Sequence, residues 1–336
     1  MQKIKKTVIL NQDKKSIQRA SKLLIDHELV SFPTETVYGL GASAVSNLGV
    51  GRIFAAKGRP KYNPLIIHIA NKQDVYKWAI VPREAEILIE EFWPGPLTLV
   101  LNQKKSNTRL APLVTANQKT IAIRVPLNST ARALISETGV PIAAPSANIS
   151  GRVSPTRAKD VLFNLGGKIS AVIKGDNCSI GLESTIVGFF TDDPILLRPG
   201  GITEERIEEK LGRPLLKDNQ FLSNKTKLVA PGMMTSHYAP KAKLILNQKK
   251  PSNDELFLGF GEMPKDSLGL NLSKGGCLKE AATNFFSALT DLDSMANLMN
   301  LQTISVAPIP NVGLGIAIND RLKRATAEKT TQNPQM

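Results

Sequence analysis

Residues 16–41 read SIQRASKLLIDHELVSFPTETVYGLG, and the architecture of the first half of the chain follows from them. Ile17, Ala20, Leu23, Leu24 and Ile25 fall on one helical face, so Ser16 to Glu28 reads as an amphipathic helix. Leu29 to Phe32 is a short apolar strand, which Pro33 ends by removing a backbone donor. The polar segment Pro33-Thr34-Glu35-Thr36-Val37-Tyr38 then runs into Gly39 and Gly41. Threonines, a carboxylate and a phenol at one strand exit mark a place for ligand groups, because loops carry function on a rigid scaffold.

The same alternation continues outward. Pro64 to Ala70, Leu97 to Leu101, Thr120 to Val125, Val172 to Lys174, Ser184 to Phe190 and Ile195 to Leu197 read as strands. Arg83 to Phe92, Ser129 to Thr138 and Thr203 to Leu211 read as helices, the last with Thr203 at its N-cap. The pattern fails between Pro214 and Pro240, where polar residues and Pro231-Gly232 indicate a linker. It resumes after Lys241 with strands at Ala242 to Leu246, Glu255 to Phe260 and Thr303 to Ala307, and helices at Lys279 to Asn300 and Val312 to Ala327. The expected organisation is an α/β domain over 1–213, a linker or lid over 214–240, and a small α/β domain with a parallel sheet over 241–336.

Bulk properties narrow the function classes. At 336 residues the chain exceeds the size at which one core stops growing, and 42% hydrophobic content is too high for disorder. Its longest apolar runs fall well short of the ~20 residues that span a bilayer. Lys3, Lys5 and Lys6 precede Thr7 to Leu10, but this apolar run ends at Asn11, too short for a secretion signal. Cys178 and Cys277 form no zinc-type pair, and three scattered histidines give no visible metal cage, so a cytoplasmic protein without a protein-built metal site is expected. The formal net charge of +14 suits a polyanionic partner such as nucleotide or RNA, and solvated lysine faces fit it as well.

No G-x-x-x-x-G-K-[ST] loop is present, and Gly313-Leu314-Gly315 lacks the third glycine of a dinucleotide turn. The best candidate for phosphate recognition is Lys57-Gly58-Arg59-Pro60-Lys61-Tyr62-Asn63-Pro64, where Lys and Arg share a loop and form a natural clamp for phosphate oxygens, although taken alone the segment reads rather as a basic turn between a helix and a strand. That loop reads as solvated. Pro145-Ser146-Ala147-Asn148-Ile149-Ser150-Gly151 follows the apolar segment Val140 to Ala144, and its Ser and Asn point to one side if extended. Arg124 sits inside the apolar strand Ile121 to Val125, where it needs either an anion or an exposed edge.

Taken together, the segments FPTETVYGLG, KGRPKYNPLIIHI, WPGPLT, IAIRVP, PSANISG with SPT, GLESTIV, LLRPGGIT, PGMMTSHYAPKA and IAINDRLKRA resemble one family in order along the chain. It is the threonylcarbamoyl-AMP synthases, YrdC-like proteins, in their long form with a C-terminal extension. The resemblance implies a twisted mixed sheet around a large concave cleft, followed by a linker and a small Rossmann-like domain. It implies condensation of L-threonine, bicarbonate and ATP to threonylcarbamoyl-AMP and pyrophosphate, with Mg²⁺ held by the phosphates. The product would serve tRNA modification through tRNA-threonylcarbamoylation proteins.

Residue by residue, the resemblance implies catalytic Lys57 and Arg59, and ATP contacts from both together with Asn63, Thr120, Ser146, Asn148, Ser154, Arg198 and Tyr238. It implies threonine contacts from Thr36, His68, Arg124, Ala144 and Ser184, with Arg124 on the carboxylate. It places His237 in a linker motif that closes over the cleft. Where relatives carry an acidic residue after the STIV strand this chain has Gly188, so no carboxylate role is assigned there. Two other classes remain in view: a double-stranded RNA or tRNA-binding protein without catalysis, and a carbamoyl-transfer maturation factor, against which the missing paired CxxC motifs argue.

Overall fold

The computed structural model describes residues 6–104, 109–217 and 237–327. They divide into two compact units, Met1–Ser150 with Ser154–Met233, and Gly151–Val153 with Met234–Met336.

The first unit is built on one mixed sheet. Its strands are β1 (Val8–Leu10), β2 (Val30–Phe32), β3 (Gly39–Ser43), β4 (Ile66–His68), β5 (Ala79–Ile80), β6 (Leu97–Gln103), β7 (Thr120–Arg124), β8 (Ile142–Ala143), β9 (Ala171–Ile173), β10 (Thr185–Phe189), β11 (Ile195–Arg198) and β12 (Leu216–Lys217). Their order across the sheet is β1-β9-β2-β3-β8-β4-β7-β6-β10-β11-β12, with β5 paired to β6. The central strands β8, β4, β7 and β6 are buried on both faces over most of their length and are correspondingly aliphatic. Helices α1 (Lys14–Ile25), α2 (Asn47–Lys57), α3 (Val75–Trp78), α4 (Arg83–Phe92), α5 (Pro112–Thr115), α6 (Ser129–Thr138), α7 (Ala158–Leu165) and α8 (Glu204–Leu211) complete the unit. The N-cap carboxylate of Asp13 accepts from the Ser16 N–H at 3.0 Å, and the residues α1 buries are Ala20, Ser21 and Leu24. Thr203 occupies the N-cap of α8, but its side chain makes no capping bond.

Gly188 lies inside β10, where a Cβ would stand 2.5 Å from the Phe190 ring and 3.1 Å from Leu197. The side-chain space there is filled by neighbours, so an acidic residue has no room without a shift.

The second unit carries β13 (Lys243–Ile245), β14 (Glu255–Gly259), β15 (Gly269–Asn271) and β16 (Thr303–Val306) in the order β13-β16-β14-β15, all parallel. Two helices follow the expected positions, α9 (Leu278–Leu298) and α10 (Leu314–Thr326). Ala281, Ala282, Phe285, Phe286, Leu289 and Leu292 form the buried stripe of α9, the spacing of a helix packed on a sheet. Gly313 is the helix-entry residue of α10, as its context in the sequence implies. Among the described residues no helix is long and apolar enough to cross a membrane.

Candidate active site

The loop after β2 is locked by one hydroxyl. Thr34 Oγ1 donates to the Val37 carbonyl at 2.6 Å and accepts from the N–H groups of Thr36 and Val37, both at 3.2 Å. This small turn presents Glu35 and Thr36 to β7. There Arg124, at the end of its strand, donates from Nη1 to Thr36 Oγ1 at 2.9 Å, from Nη2 to Glu35 Oε1 at 2.5 Å and from Nε to the Gly95 carbonyl at 3.1 Å. The other oxygen of Glu35 accepts from the N–H of Leu127 at 3.0 Å. Arg124 lies in the interior of the sheet at 4% exposure, so the exposed-edge reading is excluded. Its charge is answered inside the protein by Glu35, which supplies the anion that an arginine in an apolar strand needs.

His68 pairs with Arg124 across β4 and β7, so these two side chains share one face of the sheet. Burial first, and then the Arg124 charge, push the His68 pKa down to about 3, which keeps the imidazole neutral. Its Nδ1 has no hydrogen-bond partner among the described residues, although the ring is buried and edge-on to Phe32.

The basic cluster is not a solvated loop. Lys57 is the last residue of α2 and only 2% exposed, and Arg59 is 8% exposed. Lys57 Nζ donates to the carbonyls of Ser146 and Asn148, both at 2.6 Å. Arg59 donates from Nη2 to Asn63 Oδ1 and to the Pro64 carbonyl, both at 2.7 Å, so Asn63 orients the guanidinium. Burial, and then the neighbouring Arg59 charge, hold Lys57 well below the ordinary lysine range. The Lys57 helix is capped by Ser46 at its start and by left-handed Gly58 at its end.

Backbone bonds fasten this cluster to the Thr36 loop. The Ala147 N–H donates to the Tyr38 carbonyl at 2.9 Å, and the Leu40 N–H to the Pro145 carbonyl at 2.8 Å. Ala144 continues β8 by donating its N–H to the Ile66 carbonyl at 3.0 Å. On the other side, Ser184 stands just before β10. Its hydroxyl bonds Thr98 Oγ1 at 2.7 Å and accepts from Arg198 Nη2 at 3.2 Å, while its carbonyl accepts from the same nitrogen at 2.8 Å. Ser154 donates to Glu183 Oε1 at 2.7 Å.

Lys57, Arg59, Asn63, Ser146 and Asn148 therefore form one set, Thr36, His68 and Arg124 a second, and Ser184 with Arg198 a third. Thr120 stands apart, half-buried at the opposite end of β7 and roughly 13 Å along the strand from Arg124 at the usual rise per residue. Tyr238 belongs to the second unit, and residues 218–236 of the expected lid lie outside the described residues. Sequence reasoning gave no role to Glu35, Thr98 or Glu183. For Glu35 a signal existed, since an arginine in an apolar strand requires a carboxylate and Glu35 adjoins Thr36.

A family model described as telomere recombination, the Sua5, yciO and yrdC family, matches residues 22–200, and one described as the threonylcarbamoyl-AMP synthase C-terminal domain matches residues 202–327. A threonylcarbamoyl-AMP synthase of Bacillus subtilis is 38% identical, with 94% of each chain covered. One of Schizosaccharomyces pombe is 35% identical over 94% of this chain and 90% of its own. The crystal structure of Pyrococcus abyssi Sua5 complexed with L-threonine superposes with a TM-score of 0.86 at 37% identity, covering 95% of this chain and 98% of that one. With two family models spanning both units and relatives matched nearly end to end, this chain belongs to the threonylcarbamoyl-AMP synthase family.

Proposed function

We propose that this chain joins L-threonine, bicarbonate and ATP into threonylcarbamoyl-AMP and pyrophosphate in the cytoplasm, for the modification of tRNA adenosine beside the anticodon by partner proteins. The observation that carries this reading is the Arg198–Ser184 junction, in which a residue assigned to the nucleotide is bonded to one assigned to threonine.

Arg124 receives the threonine carboxylate. Its bonds to Gly95, Thr36 and Glu35 use three of the guanidinium's five N–H groups, which leaves one on each of Nη1 and Nη2 for the substrate carboxylate. Neutral His68 offers an imidazole nitrogen beside it, and Thr36 and Ser184 satisfy the substrate hydroxyl. The threonine amine attacks bicarbonate and water leaves, giving a carbamate. A carbamate oxygen then attacks the α-phosphorus and pyrophosphate departs. Lys57, Arg59 and Arg198 neutralise the phosphates, with Asn63, Ser146, Asn148, Ser154 and Thr120 placing the nucleotide. Such a step needs positioning and charge neutralisation more than a strong base. Mg²⁺ would enter with ATP, held mainly by phosphate oxygens and water, and would offset phosphate charge.

The test is to incubate pure protein with ATP, labelled bicarbonate and single amino acids, and to look for a labelled adenylate. Threonine should give product and serine far less, because one methyl group in an apolar pocket contributes roughly 1 to 3 kcal/mol of discrimination. Equal yields with threonine, serine and valine would sink the assignment.

A further inference from the structure

Thr98, the second residue of β6, puts a hydroxyl on an aliphatic strand. Leu97, Leu99, Val100 and Leu101 surround it in sequence, and the residue has no exposed surface. Alternate side chains of a strand share a face, so Thr98 lies on the face of Val100. Val100 packs with Ile66, Ala122 and Ile186. His68 and Arg124 stand two residues beyond Ile66 and Ala122 on their own strands, and therefore on that same face. Register fixes the place along it. Thr98 pairs with Ile186 of β10 on one side. On the other, Leu99 pairs with Ile123, and the next step of that antiparallel ladder brings Thr98 opposite Arg124. Arg124 in turn pairs with His68, so His68, Arg124 and Thr98 form a row across β4, β7 and β6.

The hydrogen-bond partner of Thr98 Oγ1 is Ser184 Oγ, at 2.7 Å. Ser184 is itself buried, and its hydroxyl also accepts from Arg198 Nη2 at 3.2 Å. A guanidinium only donates, so it takes up neither hydroxyl proton. Two hydroxyls carry two protons, and the bond between them uses one, whichever oxygen donates. The other proton meets no acceptor among the described residues. Leaving a buried donor in that state is unfavourable, so an acceptor is expected at this point of the sheet face. The groups read as threonine contacts, His68, Arg124 and Ser184, are the ones that surround it.

We propose that Thr98 is a positioning residue of the threonine site, which holds the Ser184 hydroxyl so that the pair donates one hydrogen bond to an oxygen of the bound amino acid. This rests on the reading of Arg124 and Ser184 as threonine groups. Without Thr98 the Ser184 side chain can turn about its Cα–Cβ bond, held only by the longer contact from Arg198. Valine has the shape of threonine and no hydroxyl, and it suits the neighbours Val100 and Ile186. Serine keeps the hydroxyl and lacks the methyl. These two substitutions separate the hydrogen bond from the packing.

The experiment uses the full-length protein. Thr98→Val should raise the KM for threonine about tenfold, the scale of one hydrogen bond lost in a buried site, with kcat and the KM for ATP within about threefold. Thr98→Ser should keep the KM for threonine within about threefold of the parent, because it retains the bond to Ser184. On a Ser184→Ala background Thr98→Val should add less than about twofold, since both act through one bond. Parental threonine dependence in a folded Thr98→Val enzyme would overturn the proposal. So would equal losses in Thr98→Val and Thr98→Ser, which would make packing the cause, or losses that multiply with Ser184→Ala. A rise confined to the KM for ATP would overturn it as well. If Thr98→Val prevents folding, Thr98→Ala removes the same hydroxyl with a smaller side chain, and an unchanged KM for threonine there would count equally against it. Failure of the functional reading looks different: the parent enzyme itself would then release no threonine- and bicarbonate-dependent pyrophosphate.

Discussion

The Glu35–Arg124 pair decides how the proposed threonine site can be probed. Both side chains are about 4% exposed, so removing either leaves a buried charge without its partner. Glu35→Ala should cost about 3 to 5 kcal/mol in urea unfolding, and Glu35→Gln clearly less because the amide keeps a bond to Arg124. Arg124→Leu would strand Glu35 in the same way, so Arg124→Lys is the cleaner variant. It should raise the KM for threonine at least about tenfold, the loss of one bidentate contact, while that for ATP barely moves. Parental threonine dependence in a folded Arg124→Lys enzyme would make Arg124 structural. His68 supplies a pH prediction. Its pKa is pushed from the ordinary 6.5 down to about 3, so between these values the unfolded chain binds a proton that the folded one does not. Stability from this residue is complete above pH 6.5 and is lost as pH falls toward 3. His68→Asn should shift the midpoint of acid unfolding to lower pH. In the parent, imidazole resonances of His68 should not titrate between pH 8 and pH 5.

At the scale of elements, long periodic segments were legible and glycine-rich ones were not. Arg83–Phe92 and Ser129–Thr138 stand as helices at the residues their spacing gives, since each buries a clear apolar stripe. Helix α2 was missed. Its sequence, NLGVGRIFAAK, holds two glycines, and its cohesion comes from the Ser46 cap and from packing of Val50, Ile53 and Phe54 in the core. Strand β3, GLGAS, was missed for the same reason. Missing α2 had a consequence for the site, because the basic segment then read as a free turn. The residue types of the clamp were visible in the sequence, and its burial was not, because burial depends on strands far away in the chain. Lys57 in fact ends a helix, where the helix dipole favours a cation, yet burial holds its pKa well below the lysine range. Lys57 Nζ has three acceptors in reach, the carbonyls of Ser146 and Asn148 at 2.6 Å and Asn148 Oδ1 at 3.5 Å. A triphosphate beside it favours the ammonium, so ATP binding should raise the Lys57 pKa. Calorimetric titrations of ATP in buffers of different ionisation enthalpy read any proton taken up, and Lys57→Met should abolish that uptake; an uptake that persists in the variant would assign it to another group.

For the whole molecule the question is what the excess of positive charge does. Basic residues number 43 against 29 acidic ones. Some of the imbalance is internal: among the described residues Lys57, Arg59, Arg124, Arg198 and Arg321 are buried, against Glu35, Asp160 and Glu183. Four of those cations surround the site proposed for the anionic substrates, where they act at contact distance and are little screened by salt. Others among the described residues are exposed, Lys61, Lys241, Lys249 and Lys250 for example, and there a Debye length of about 8 Å at physiological ionic strength limits their reach. The two populations should separate in a salt titration. If tRNA is held by the surface charges, its retention on a filter should fall more than about tenfold between 50 and 300 mM KCl, the steep loss expected when several phosphate contacts release counterions. Threonine-dependent pyrophosphate release should need no tRNA and change less than about threefold over that range, because buried pairs do not compete with bulk ions. A protein that binds RNA without catalysis would show the first behaviour and no pyrophosphate at any salt concentration. If both activities are present and decline in parallel, surface charge takes part in the reaction itself, and the division of labour between buried and exposed cations is wrong.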